Sequence, residues 1–150
     1  MQQTHHFSLV LETPTADPAE ANAHFLAKLS VETDVADLMS DLKRGVHDGF
    51  VLLDVRDKTA FGDCHIPTAI NLPTSRISAD TTRDMSTDQV VVVYCWGPAR
   101  NGATKAAVRL TGLGFRVKEL IGGIEYWRKE GGQIEGTLSD QAPLYWQMKS

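Results

Sequence analysis

One stretch of the chain gathers residues that could do chemistry together: Tyr94-Cys95-Trp96-Gly97-Pro98-Ala99-Arg100-Asn101. The apolar run Val90-Val91-Val92-Val93 precedes it, and four residues separate the cysteine from the arginine. A strand ending in a loop that closes into a helix N-terminus aims several backbone N–H groups at one point. An anion or a thiolate placed there is stabilised by those donors and by the helix dipole. Arg100 adds a fixed positive charge. The spacing therefore predicts a Cys95 thiol poised toward its thiolate, the nucleophilic form. The competing reading is a buried cysteine serving as a small apolar residue; the arginine spacing and the helix start weigh against it.

Positioning such a loop requires strands and helices around it. Phe50-Val51-Leu52-Leu53-Asp54-Val55 and Val90 to Tyr94 are apolar almost without interruption. Runs without alternation suit strands covered on both faces, as in parallel sheets flanked by helices. Ala69 to Leu72, stopped by Pro73, reads as a shorter strand, Phe115 to Leu120 as an alternating one, and Ser30 to Glu32 as a short one. Asp17-Pro18-Ala19-Glu20 starts a helix by capping, a favourable N1 proline and an acidic first turn, with Ala21, Phe25, Leu26 and Leu29 on one face. A second helix is capped by Thr33 or Asp34, carries Val35, Leu38, Met39 and Leu42, and stops at Gly45. A third carries Ala103, Ala106, Ala107 and Leu110 and ends at Gly112 and Gly114; a short fourth follows Gly122-Gly123. Residues 74–88 are polar and read as a loop with one helical turn. The pattern predicts an α/β domain with a parallel sheet. Its parts are a loose arm over residues 1–16, a domain over 17–136 that includes an additional N-terminal helix, and a tail over 137–150 packed on the domain.

The chain resembles a single-domain rhodanese, a sulfurtransferase. Leu53-Asp54-Val55-Arg56 is similar to that family's "LDVR", and His65-Ile66-Pro67-Thr68-Ala69-Ile70-Asn71-Leu72-Pro73 to its "GHIPGAINIP". Val92-Val93-Tyr94-Cys95 with Arg100 matches the strand entering its active-site loop. Leu120 to Trp127, followed by Gly131, is similar to "LxGGxxxW…G". The blocks occur in family order over about residues 28 to 136. The resemblance implies a rhodanese-like three-layer α/β domain, a central parallel sheet with helices on both faces. It implies that Cys95 takes a sulfane sulfur from a donor such as thiosulfate or a persulfide and becomes a persulfide itself. A thiophilic acceptor, cyanide or a thiol, then removes the sulfur, so one transfer is split into two steps. Backbone donors around Trp96, Gly97, Pro98, Ala99 and Asn101 would cradle the charge, and Arg100 with Arg56 would attract the anionic donor. Asp54 would organise the loop or Arg56. The resemblance implies no cofactor. Here the chain departs from the common Cys-x-x-Gly-x-Arg pattern: glycine comes one place early at Gly97, Pro98 supplies no N–H, and Asn101 replaces a serine. Cys64 and Thr68 replace two family glycines.

Two other function classes stay open. A non-catalytic rhodanese-like module could use the cleft to recognise a protein or metabolite. A phosphatase or arsenate-reductase-like enzyme would use the same architecture with a Cys-x5-Arg loop, one residue longer. Five histidines invite a metal, but no Cys-x2-Cys or His-Glu-x-x-His occurs. His5 and His6 stand in the arm, His24 and His47 on polar surfaces, and His65 suits a hydrogen bond within its loop. Trp127 reads as core. The formal net charge of −4, without a Lys/Arg cluster, argues against nucleic acid as partner. No apolar run suits a membrane span, and Met1 to Val10 lack the pattern of a secretory signal. Two cysteines, Cys64 and Cys95, are not a disulfide framework, so a cytoplasmic chain is expected. Its expected partners are a small anionic sulfur donor and a thiol or cyanide acceptor, with a protein thiol as a further option.

Overall fold

A computed structural model describes residues 6–148; the first five residues, His5 included, and the last two lie outside the described residues. The chain divides after Ser30 into two compact units. In the first, α1 (Pro18–Val31) starts where Asp17 caps it, the carboxylate accepting from the Ala19 N–H at 3.1 Å. None of its residues is buried, and Phe25 and Leu26 of the expected apolar face are exposed.

The second unit is built on five parallel strands in the order β1-β5-β4-β2-β3. These are β1 (Glu32–Thr33), β2 (Phe50–Asp54), β3 (Ile70–Asn71), β4 (Val90–Tyr94) and β5 (Arg116–Leu120). The apolar runs sit at its centre, where both faces are covered. Leu52, Val92 and Tyr94 pack with Val35 and Leu38 of α2 (Val35–Lys43) and with Ile124 and Trp127 of α5 (Gly123–Lys129). Leu53, Val91 and Val93 face the other way, onto Ala106 and Leu110 of α4 (Gly102–Gly112). This is the expected three-layer arrangement. In the register, Asp54 pairs with Tyr94. The carboxyl ends of β2 and β4 therefore finish side by side, at the edge where open α/β sheets bind ligands.

Local chemistry sets the helix boundaries. The Asp34 carboxylate caps α2, accepting from Asp37 N–H at 2.8 Å, and Gly45 follows its end at φ +70°. An additional helix, α3 (Lys58–Asp63), was not expected from sequence; Asp57 caps it through the Ala60 N–H at 2.8 Å. In the polar stretch after β3, Thr74–Arg76 form the single expected turn. The tail is anchored by Ala142, which joins the core, and by Thr137 and Leu138, whose N–H groups donate to Gly62 and Asp63 at 2.9 and 3.0 Å.

The two replaced glycines differ in kind. Cys64 has φ −164°, extended backbone that any residue adopts. Thr68 has φ +73°, a left-handed conformation that glycine takes freely and a β-branched residue holds only under strain. Among the described residues, no helix is long and apolar enough to cross a membrane.

Candidate active site

Cys95 follows β4 directly, and residues 95–101 carry the chain over to α4. The loop is pinned from beneath by the start of α5. Ile124 and Glu125 donate their N–H groups to the carbonyls of Cys95 (3.1 Å) and Trp96 (2.9 Å). Two glycines make that approach possible. A methyl group on Gly123, which sits at φ +60°, would lie 2.6 Å from the Cys95 carbonyl oxygen and 2.8 Å from the Gly97 nitrogen. A methyl group on Gly102, the first residue of α4, would lie 2.8 Å from Cys95 Sγ. The sulfur is thus seated on the helix N-terminus, where unpaired backbone donors and the dipole both favour negative charge. Among the described residues, nothing accepts from the N–H groups of Gly97, Ala99, Asn101 or Gly102. The Asn101 side chain makes no capping bond to α4. Pro98 lines a depression with Val35, Ile121, Gly122 and Tyr126.

The sequence predicts a Cys95 thiol shifted toward thiolate; the resting site is otherwise. Burial, the largest influence, pushes the thiol above its ordinary value. A backbone hydrogen bond from Trp96 opposes that shift, Asp54 reinforces it, and Arg56 and Arg100 pull the other way. The positive groups are present, but desolvation outweighs them.

Arg56 and Asp54 are enclosed rather than open to a donor. Arg56 is 4% exposed and Asp54 0%. The guanidinium Nη2 meets Asp54 Oδ2 at 2.7 Å and also donates to the Cys64 carbonyl, while the Arg56 backbone N–H reaches Asp54 Oδ1 at 2.9 Å. Burial alone would lower the arginine's pKa; the bond and charge of Asp54 raise it above the ordinary value. Arg56 thus spends its hydrogen bonds on Asp54 and the Cys64 carbonyl and carries the face of Trp96, 4.6 Å from Cζ to ring centre. Sequence reasoning missed Asn71, whose side-chain amide donates to the carbonyls of Asp54 (3.0 Å) and Arg56 (2.9 Å) and ties β3 to this corner. Only its place in a strand leading to a proline hinted at it.

Arg100 is exposed, and its Nη1 donates to the Ala99 carbonyl at 2.9 Å. Its Cζ lies 3.8 Å over the ring of Tyr145, which also meets Trp96 edge-on at 5.6 Å. Trp96 further lines a cavity of about 440 Å³ with Arg56, Cys64, Arg128 and Ala142. His65 holds its own loop: Nδ1 lies 2.8 Å from the Phe61 carbonyl, and its ring stacks on Phe61. Trp127 is core, as its sequence context predicts, with Nε1 donating to the Gln133 carbonyl at 2.8 Å.

A parallel three-layer α/β domain with a cysteine-to-arginine loop at the carboxyl edge of its sheet is the class that fold and site define. The chain belongs to the Rhodanese-like domain family, whose pattern matches residues 34–130. It is 42% identical over 81 residues to the thiosulfate sulfurtransferase GlpE of Pseudomonas syringae, covering 53% of this chain and 74% of that protein. The adenylyltransferase and sulfurtransferase UBA4 of Candida albicans is 35% identical over 89 residues, 51% of this chain and 19% of that one. The crystal structure of BH2092 from Bacillus halodurans is 57% identical and superposes with a TM-score of 0.85, covering 88% of this chain and 96% of that one. The family match and the likeness to GlpE support a rhodanese-type sulfurtransferase.

Proposed function

We propose that Cys95 carries a sulfane sulfur as a persulfide between an anionic donor, of which thiosulfate is the simplest, and a thiol or cyanide acceptor. The Cys95 thiol first gives its proton to solvent. The thiolate attacks the outer sulfur of thiosulfate; the new S–S bond forms as the old one breaks, and sulfite leaves with the electron pair. The acceptor then attacks the terminal sulfur, and Cys95 leaves as thiolate. The observation that carries this reading is the seat of Sγ on Gly102 at the N-terminus of α4, with Arg100 on the same loop. Free N–H groups of Gly97, Ala99 and Asn101 are available to the persulfide's charge. Pro98 shapes the loop without adding a donor, while the Trp96 N–H is directed at the Cys95 sulfur. Arg100 supplies the exposed cation for the donor's sulfonate end; Arg56 and Asp54 support the loop from within. No step calls for a cofactor or metal.

A reducing, cytoplasmic compartment suits the two free cysteines. A protein thiol is an acceptor of the same chemistry as a small one, and nucleic acid has no part in it. The loop, at Cys-x4-Arg, is shorter than the Cys-x5-Arg cradle of phosphatases, which favours a single sulfur over a tetrahedral oxyanion. The test is Cys95→Ser: thiosulfate-to-cyanide transfer is lost while thermal unfolding is unchanged. Transfer retained by the folded variant would remove Cys95 from the mechanism.

A further inference from the structure

The C-terminal segment contributes a residue to this site. After Ala142 enters the core, the chain turns through a short 3-10 helix, Tyr145–Gln147. That turn is closed on itself: the Leu144 N–H donates to Gln147 Oε1 at 2.8 Å, and the Gln147 N–H to the Leu144 carbonyl at 2.9 Å. Tyr145 is thereby presented to the catalytic loop. Four side chains follow one another there, Arg56 on Trp96, Trp96 against Tyr145, and Tyr145 under Arg100. Two come from the loop, one from the end of β2 and one from the tail.

The geometry at Arg100 decides what Tyr145 does. A guanidinium binds an aromatic ring through its face and an anion through its edge. With Cζ 3.8 Å over the centre of the Tyr145 ring, the contact is made through the face, and among the described residues one edge contact, to the Ala99 carbonyl, is given to protein. The remaining N–H groups stay available in the plane. Without the ring, an exposed arginine would sample many rotamers, and each anion it bound would have to order it.

We propose that Tyr145 is a positioning residue for donor binding: its ring holds the Arg100 guanidinium at the mouth of the site with its edge free for the anionic end of the donor. The inference rests on the sulfurtransferase reading above. It is tested by steady-state kinetics with thiosulfate and cyanide on wild type, Tyr145→Ala and Tyr145→Phe, beside thermal unfolding of each. Tyr145→Ala raises KM for thiosulfate roughly 3- to 30-fold and leaves kcat within about twofold, the effect of losing one cation–π contact in the ground state. Tyr145→Phe restores KM, because the ring and not the hydroxyl is used. In an Arg100→Ala background, the further loss on removing Tyr145 disappears. An unchanged KM in Tyr145→Ala, an effect on kcat alone, a Tyr145→Phe as impaired as Tyr145→Ala, or an undiminished effect without Arg100 each overturns the proposal. Wild type that takes up no sulfur from thiosulfate overturns the underlying reading instead, so the two failures are separable.

Discussion

Cys95 is held between desolvation, which keeps its proton on, and three groups that would draw it off: the Trp96 N–H, Arg56 and Arg100. Burial wins in the resting site, and that has a kinetic consequence. In the proposed transfer the attacking species is the thiolate, so sulfur uptake at low donor concentration is expected to rise with pH through neutrality by about tenfold per unit and to continue above the range of an ordinary thiol. Stopped-flow loading across a pH series measures this; a plateau already reached below neutrality would contradict the shift. Cys95 and Arg100 stand out by spacing alone. The enclosure of Arg56 does not, because an arginine after a strand reads as surface until Asp54 is seen to meet it two residues back, with the Cys64 carbonyl completing the pocket. Removing one member of such a pair strands a buried charge.

The loop holds its shape because α5 begins against it. The left-handed Gly123 brings the Ile124 and Glu125 N–H groups under the carbonyls of Cys95 and Trp96. Gly123→Ala adds backbone strain of about 1–3 kcal/mol and a methyl group against the Cys95 carbonyl, so sulfur transfer falls further than stability accounts for. Gly45→Ala is the matched control: it has φ +70° with nothing within 4 Å of its added methyl, so it loses stability alone. Melting curves with activity read well below both transitions make the comparison; a fully active Gly123→Ala would show that the loop does not depend on this contact. Elements with strong local signals were legible beforehand. β4 is bounded by its valine run and by Cys95, and α2 by the Asp34 cap. The six-residue α3 was not, since it is too short to show a period and contains Gly62. The Gly-Gly of residues 122–123 announced the start of a short helix but not that a neighbouring loop rests on it, which depends on residues far away in the chain.

Across the molecule, the sheet separates the two cysteines. Cys64 packs among Leu52, Ile66, Tyr94 and Trp127, on the side of α2 and α5, whereas Cys95 packs against the cluster of Val91, Val93 and Ala106, on the side of α4. Burial raises the Cys64 thiol as well, and it is 2% exposed. It fills core volume in the cluster that holds Ile66 and Tyr94. Sequence alone leaves open whether the two sulfurs could meet; the packing of Cys64, at the end of α3, and of Cys95, after β4, into different core clusters supplies the answer. The same holds for Tyr145, whose contacts with Trp96 and Arg100 join the tail to the middle of the chain. One thiol seated on a helix N-terminus and one sealed in the core should behave differently toward a sulfur donor. Intact-mass measurement after brief exposure to thiosulfate, followed by peptide mapping, tests this most directly. A gain of one sulfur atom is expected, located on Cys95 and lost on adding cyanide; no gain, or a sulfur mapped to Cys64, would overturn the assignment of Cys95.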